Sequence, residues 1–108
     1  MTIPNPGAPI ILKLSGLAEL PKEFSLGQNY PNPFNPVTNV QFSIASRQLT
    51  ILKVYDVLGQ EVSTLVDEVK EPGKYTVSWD AGKLASGVYI YSITAGSFSE
   101  RRKMLLIR

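Results

Sequence analysis

The 108-residue sequence predicts a single all-β domain of about seven short strands, arranged as a sandwich or barrel. Eight glycines and eight prolines cluster between short apolar runs, as turns do between strands. Several of those runs alternate apolar and polar residues, which is the period of a half-buried strand. No stretch keeps a helical period for three turns, because Gly59 and β-branched residues weaken the nearest case, residues 58–69.

The first 22 residues are predicted to be a linker, and residues 23–108 the folded domain. Residues 1–9 are rich in proline, asparagine and glycine and offer little to bury. Residues 10–14 (IILKL) are apolar enough for a short strand, which the Ser-Gly pair after them would end. Prolines interrupt this start and it lacks a basic region, so we expect any signal peptide to lie outside these 108 residues.

The strands before residue 70 follow from alternation. In residues 39–44 every second residue is apolar, and residues 52–55 repeat the pattern. Asp56-Val57-Leu58-Gly59 then reads as a turn in which glycine can take a positive φ. Residues 61–66 follow this turn at once, which predicts a β-hairpin.

The strands after residue 70 are separated by clear turns. Residues 71–73 (EPG) form a turn, after which Tyr75, Val77 and Trp79 should share one face. Residues 80–87 are a loop. Residues 88–94 (VYIYSIT) are the densest run of β-formers, and they predict a central strand buried on both faces. The last strand is predicted to follow the turn after residue 94, over residues 98–107.

The amino-acid composition excludes most kinds of catalytic and metal-binding site. The chain has no cysteine and no histidine, which removes thiolate and imidazole catalysis and the usual zinc, copper and haem sites. The acidic residues show no metal-ligand spacing such as that of an EF-hand loop; the candidates are Asp56, Asp67, Glu68, Glu71 and Asp80. We therefore predict that the protein is not an enzyme and holds no cofactor or metal.

The positive charge is concentrated at the C-terminal end. The net charge is +2, and residues 100–108 contain four of the basic side chains but only one acid, so the rest of the chain is slightly acidic. A nucleic-acid binder would need a broader basic face, so nucleic acid is not expected as a partner. No apolar run approaches the roughly 20 residues of a membrane-spanning helix, so we predict no membrane insertion.

Residues 30–36 form the most unusual segment, here called the proline-rich segment. It consists of Tyr30, Pro31, Asn32, Pro33, Phe34, Asn35 and Pro36. It could be a rigid recognition loop that presents its two aromatic rings, or a stiff crossover whose rings fill one end of the core. Because it carries two aromatics and no charge, we favour the crossover, with the asparagine side chains bonding nearby backbone amides.

Two further features allow more than one interpretation. The aromatics could form a sugar-binding platform if several were exposed on one face, but Trp79 continues an apolar alternation and is predicted to lie in the core. Residues 104–107 (MLLI) are apolar on both faces and follow Arg101-Arg102-Lys103. They are either a buried final strand with protective surface charges or a strand that a receptor captures by strand addition.

From residue 24 onward the sequence contains a series of short motifs: Phe24-Ser25-Leu26, residues 28–36, Thr38 with Phe42, residues 53–62, Gly73 with Tyr75, Trp79-Asp80, residues 84–89 and residues 103–106. Their order and spacing are specific together, although each is weak alone. Through them the sequence closely resembles the type A C-terminal sorting domains of proteins exported by the type IX secretion system of Bacteroidetes and related bacteria. Ala45 departs from the pattern, because many relatives have proline there.

The resemblance implies an Ig-like antiparallel β-sandwich at the C-terminal end of a fused cargo protein. Such domains direct cargo from the periplasm through an outer-membrane translocon, and a sortase-like peptidase then removes them, so that the cargo is released or attached to the cell surface. The recognition residues it implies are Gly87, Val88, Tyr89, Lys103, Met104, Leu105, Leu106, Ile107 and Arg108. The alternatives are a structural or carbohydrate-binding module of an extracellular enzyme, or a flagellar hook-capping Ig-like domain.

Overall fold

A computed structural model describes residues 20–108 and contains seven β-strands. In chain order they are β1 (Ser25–Leu26), β2 (Val37–Ile44), β3 (Gln48–Tyr55), β4 (Glu61–Lys70), β5 (Gly73–Asp80), β6 (Gly87–Ala95) and β7 (Phe98–Leu106). The predicted strand at residues 10–14 and most of the predicted linker lie outside the described residues. The all-β prediction is confirmed, including the number of strands.

The strands form two antiparallel sheets that pack as a β-sandwich. The smaller sheet has the order β1-β2-β5, and the larger has the order β4-β3-β6-β7. Each sheet turns one apolar face towards the other, since alternate side chains of a strand lie on opposite faces. β7 is therefore an edge strand of the larger sheet, next to the central strand β6.

The predicted alternation is observed in both sheets. Val40, Phe42 and Ile44 of β2 are buried, while the residues between them lie on the solvent side. Across the smaller sheet, the Phe42 ring stacks on that of Tyr75 at 5.4 Å between centroids. Burial of these apolar side chains stabilises the sandwich by about 1.5–3 kcal/mol each.

The hairpin between β3 and β4 is also confirmed. Residues 56–59 form its turn, and Gly59 has a φ of 85°, a conformation that favours glycine. The turn is closed by the Gly59 amide, which donates to the Asp56 carbonyl at 3.0 Å. The Asp56 carboxylate accepts two more backbone N–H bonds, from Leu58 and Gln60, each at 2.9 Å.

One prediction for the larger sheet is wrong. β6 is a central strand, as expected, but it is not buried on both faces. Tyr89, Tyr91 and Ile93 point into the core, whereas Val88 and Thr94 are exposed on the outer face. The density of β-forming residues indicated a central position, but burial on both faces would need a second layer over the outer face, and the described residues form only two layers.

The core has an aromatic cluster at one end. The Trp79 ring contacts Phe34 at 5.8 Å and Tyr89 at 5.9 Å between centroids, so it joins the proline-rich segment to both sheets. Offset and edge-on contacts of this kind contribute about 0.5–1.5 kcal/mol beyond area burial.

Within residues 20–108, the structure has no helix of a length and apolarity that would allow it to cross a membrane.

Candidate functional site

The C-terminal strand has one face in the core and one face in solvent. Met104 and Leu106 are buried between the sheets, while Lys103, Leu105 and Ile107 are exposed. The apolar run that pattern alone left ambiguous therefore divides by period: its buried half belongs to the sandwich and its exposed half is available to a partner.

Residues 87–89 lie directly beside this strand. Gly87 pairs with Leu106, Val88 with Leu105 and Tyr89 with Met104 in the antiparallel register of β6 and β7. Val88 and Leu105 are thus cross-strand neighbours on the outer face, and both are exposed. We call Val88, Lys103, Leu105 and Ile107 together the tail surface.

Two other predicted recognition residues, Tyr89 and Arg108, make contacts within the domain and are not part of the tail surface. The Tyr89 ring packs on Trp79, and its hydroxyl donates to the Ala85 carbonyl at 2.7 Å. The backbone amide of Arg108 donates to the Ser86 hydroxyl at 3.0 Å, and its guanidinium donates to the Gly82 carbonyl. Of the nine predicted recognition residues, Tyr89 therefore ties β6, and Arg108 ties the chain end, to the loop between β5 and β6.

The edge of β7 that faces away from β6 is already hydrogen-bonded over its last residues. Phe34 forms a parallel bridge with Leu106, in which its amide donates to the Leu105 carbonyl at 2.9 Å and its carbonyl accepts from the Ile107 amide at 3.0 Å. The Asn32 side chain accepts from the Leu105 amide at 3.0 Å. The Gln28 side chain donates to the Lys103 carbonyl at 2.8 Å.

This pairing changes how the tail can be recognised. A receptor that added a strand beside residues 103–107 would first have to displace Gln28, Asn32 and Phe34. In the part of the chain that the structure describes, the hydrogen bonds made to backbone groups of this edge from outside the sheet all fall between Lys103 and Ile107. The side chains of the tail surface, rather than its backbone, are therefore what a partner can reach.

The two aromatic rings of the proline-rich segment have opposite environments. Phe34 is 2% exposed and lies in the core, whereas Tyr30 is 79% exposed. The prediction that both rings fill the end of the core is thus wrong for Tyr30. The cause is the antiparallel backbone bridge between Tyr30 and Asn39, because the side chains of paired residues lie on the same face of a sheet. Asn39 alternates with the buried Thr38 and Val40, so this face is the outer, solvent-facing one.

A buried polar network holds the proline-rich segment to both sheets. The Tyr91 hydroxyl donates to the Gly27 carbonyl at 2.7 Å and accepts from the Asn29 amide at 2.8 Å. The Asn29 side chain donates to the Thr38 hydroxyl at 2.9 Å, and that hydroxyl donates to the Pro31 carbonyl at 2.8 Å. Only the family resemblance singles out Asn29 and Thr38 in the sequence, because an isolated buried polar residue leaves no periodic signal.

The electrostatics of the site are set by a few groups. Burial raises the pKa of Tyr91, although the Asn29 hydrogen bond and the nearby Arg102 oppose the shift. On the outer face, a hydrogen bond between Lys53 and Glu61, 3.0 Å apart, raises the pKa of Lys53 and lowers that of Glu61.

The geometry does not support a sugar-binding platform or a site for a metal ion in residues 20–108. A sugar platform would need several exposed rings, but Trp79, Tyr89 and Tyr91 are buried, and Tyr30 is the one strongly exposed aromatic among residues 20–108. Over the same residues, the structure brings together no group of three acidic side chains that could hold a metal ion.

The comparison with protein families gives one finding. A model of the family described as "Secretion system C-terminal sorting domain" matches residues 28–107, which is most of the chain and includes the proline-rich segment, the tail surface and β2 to β7. No curated protein and no solved structure matches the chain.

Proposed function

Because the chain belongs to the family of secretion system C-terminal sorting domains, we propose that residues 23–108 direct a cargo protein, fused at their N-terminal side, through the outer-membrane translocon of a type IX system. A domain of this family implies export and an interaction with the secretion system, and such domains are generally non-catalytic. The family match over residues 28–107 is the observation that carries the proposal.

The proposed route has two further steps. A sortase-like peptidase removes the domain after translocation, and the cargo is then released or attached to the cell surface. We place the cut before Phe24, in the predicted linker of residues 1–22, because the antiparallel pairing of β1 with β2 begins at Ser25. A cut on the N-terminal side of that pairing leaves the sandwich whole.

We propose that the translocon reads the exposed side chains of the tail. The tail surface combines three apolar side chains with one cation, a mixture that buries area and also gives orientation. The remaining predicted recognition residues act indirectly. Gly87, Met104 and Leu106 pair or pack within the sandwich, while Tyr89 holds the loop before β6 and Arg108 holds the chain end to that loop.

An export assay tests the proposal. The whole 108-residue chain is fused behind a periplasm-targeted fluorescent protein in a bacterium with a type IX system, and fluorescence is measured in cells and medium after surface proteolysis. We expect the fusion to reach the cell surface or the medium, while the same fluorescent protein without the chain stays in the periplasm. Retention of both proteins in the periplasm would refute a sorting function.

A further inference from the structure

A groove lies on the outer face of the larger sheet, next to the tail surface. It measures about 420 Å³, and its lining residues include Tyr55, Val57, Leu58, Ile90, Ser92 and Arg101. The register explains the arrangement, because Tyr55 pairs with Ile90, and Ile90 pairs with Lys103 of the tail surface. The groove and the tail surface are therefore parts of one continuous face.

The turn between β3 and β4 supplies apolar side chains that the fold does not require. Val57 is 68% exposed and Leu58 is 80% exposed, at turn positions where polar residues or glycine are usual. The turn is closed by the Gly59 amide and by the carboxylate of Asp56, so neither side chain contributes to it. Apolar surface that is contiguous and exposed marks an interaction site.

The two cations beside the groove form no ion pair within residues 20–108. Arg47, Lys53, Lys70 and Arg102 each form an ion pair. No carboxylate of residues 20–108 lies within 4 Å of the basic groups of Arg101 or Lys103, as is also the case for Lys22, Lys74, Lys83 and Arg108. The one carboxylate that lines the groove, Asp56, accepts backbone hydrogen bonds from the turn.

We propose that this groove binds an extended protein segment whose apolar side chains pack against Tyr55, Leu58 and Ile90 and whose carboxylates pair with Arg101 and Lys103. Charge complementarity favours an acidic segment, since two cations that pair with no carboxylate of residues 20–108 offset their desolvation only against an opposite charge. The volume suits two or three side chains of such a segment. The inference rests on the proposed function, because we assign the segment to the export machinery that reads the tail.

Binding is tested with a defined probe. The isotope-labelled 108-residue chain is titrated by NMR with a capped hexapeptide of alternating acidic and apolar residues (DLDVEL) and with its neutral isostere (NLNVQL). We expect saturable shifts at Leu58, Ile90 and Arg101 with the acidic peptide, and binding at least about tenfold weaker for the isostere, as loss of about 1.4 kcal/mol implies. Leu58→Ser and Arg101→Gln should each weaken the acidic peptide about tenfold.

Matched controls keep the result specific. Leu49→Ser removes an exposed leucine at the other end of the same face, and Lys74→Gln removes an exposed lysine on the other sheet. Both should bind the acidic peptide as the parent chain does. Equal affinity for the two peptides, shifts centred on Leu49, or binding only to vesicles of anionic phospholipid would overturn the inference.

The export assay separates this inference from the function on which it rests. In the fluorescent fusion, Leu58→Ser and Arg101→Gln should lower export about tenfold, while the two controls stay within about twofold of the parent. If the parent is exported and the groove variants are exported equally well, the assignment to the export machinery fails and the sorting function stands. If the parent itself is retained, the sorting function fails, and the peptide titration decides whether the groove binds.

Discussion

Tyr91 connects the two sheets through buried polar contacts. Its ring is buried in the larger sheet, while its hydroxyl bonds the Gly27 carbonyl and the Asn29 amide, which lie between β1 and the proline-rich segment. Both backbone groups would lose their partner if the hydroxyl were removed, and an unsatisfied buried group costs about 1–3 kcal/mol.

Tyr91→Phe should therefore lower the free energy of unfolding by about 2 kcal/mol in urea denaturation at neutral pH. The substitution should also change how the stability of the fold falls at alkaline pH. The folded protein has a raised Tyr91 pKa, while the unfolded chain has the ordinary value of about 10, so stability is intact below about pH 10 and falls as pH rises towards the folded pKa. The phenylalanine variant should lack that part of the fall; an identical alkaline profile would contradict the assignment.

Phe34 and Tyr30 provide a matched pair of substitutions within one segment. Phe34→Ala should cost about 3–5 kcal/mol, because it removes a buried ring that packs on Trp79. It should also speed hydrogen exchange at the Ile107 amide, whose acceptor is the Phe34 carbonyl. Tyr30→Ala, at an exposed position, should change stability by less than about 0.5 kcal/mol. Equal losses in both variants would show that the ring contacts do not hold the segment.

At the scale of elements, β7 shows which features a sequence can predict. The turn before it predicted the strand, and the period of two observed in the structure separates Met104 and Leu106 from Lys103 and Leu105. Its edge pairing with Phe34 was not predictable, because a contact between residues more than 70 positions apart leaves no local pattern. The same limit applies to Asn32, which bonds the Leu105 amide rather than the nearby backbone that local rules favour.

The two faces of β7 should respond differently to substitution. Met104→Ala should lower the free energy of unfolding by about 2–5 kcal/mol, since the side chain is buried between the sheets. Leu105→Ser, on the outer face, should cost less than about 1 kcal/mol. Chemical denaturation of the two variants measures the difference. A larger loss for Leu105→Ser than for Met104→Ala would contradict the placement of the two faces.

At the scale of the whole molecule, the sandwich separates stability from recognition. The inner faces hold the aromatic cluster and the buried polar network, while the tail surface and the groove share the outer face of the larger sheet. The number of strands, their alternation and the core tryptophan could be predicted from the sequence. The groove could not, because it depends on the register that places the β3–β4 turn beside Ile90 and Arg101.

This separation also determines how the tail should be tested. Deleting residues 103–108 would remove the buried Met104 and Leu106 and the bonds to Phe34, so it would damage the fold as well as any signal. Two large core side chains together account for a substantial part of the 5–15 kcal/mol that stabilises a domain. Substitutions confined to the outer face avoid this ambiguity.

The most direct measurement is therefore the exported fraction of the fluorescent fusion that carries Lys103→Gln and Leu105→Ser together. Val69→Ser with Lys74→Gln serves as the control, because it removes another exposed apolar residue and another exposed lysine away from the tail surface. Thermal denaturation first checks that both variants are folded. The tail variant should then stay in the periplasm, and the control should be exported like the parent. Export of the tail variant at the parental level would contradict recognition through the exposed face of the tail.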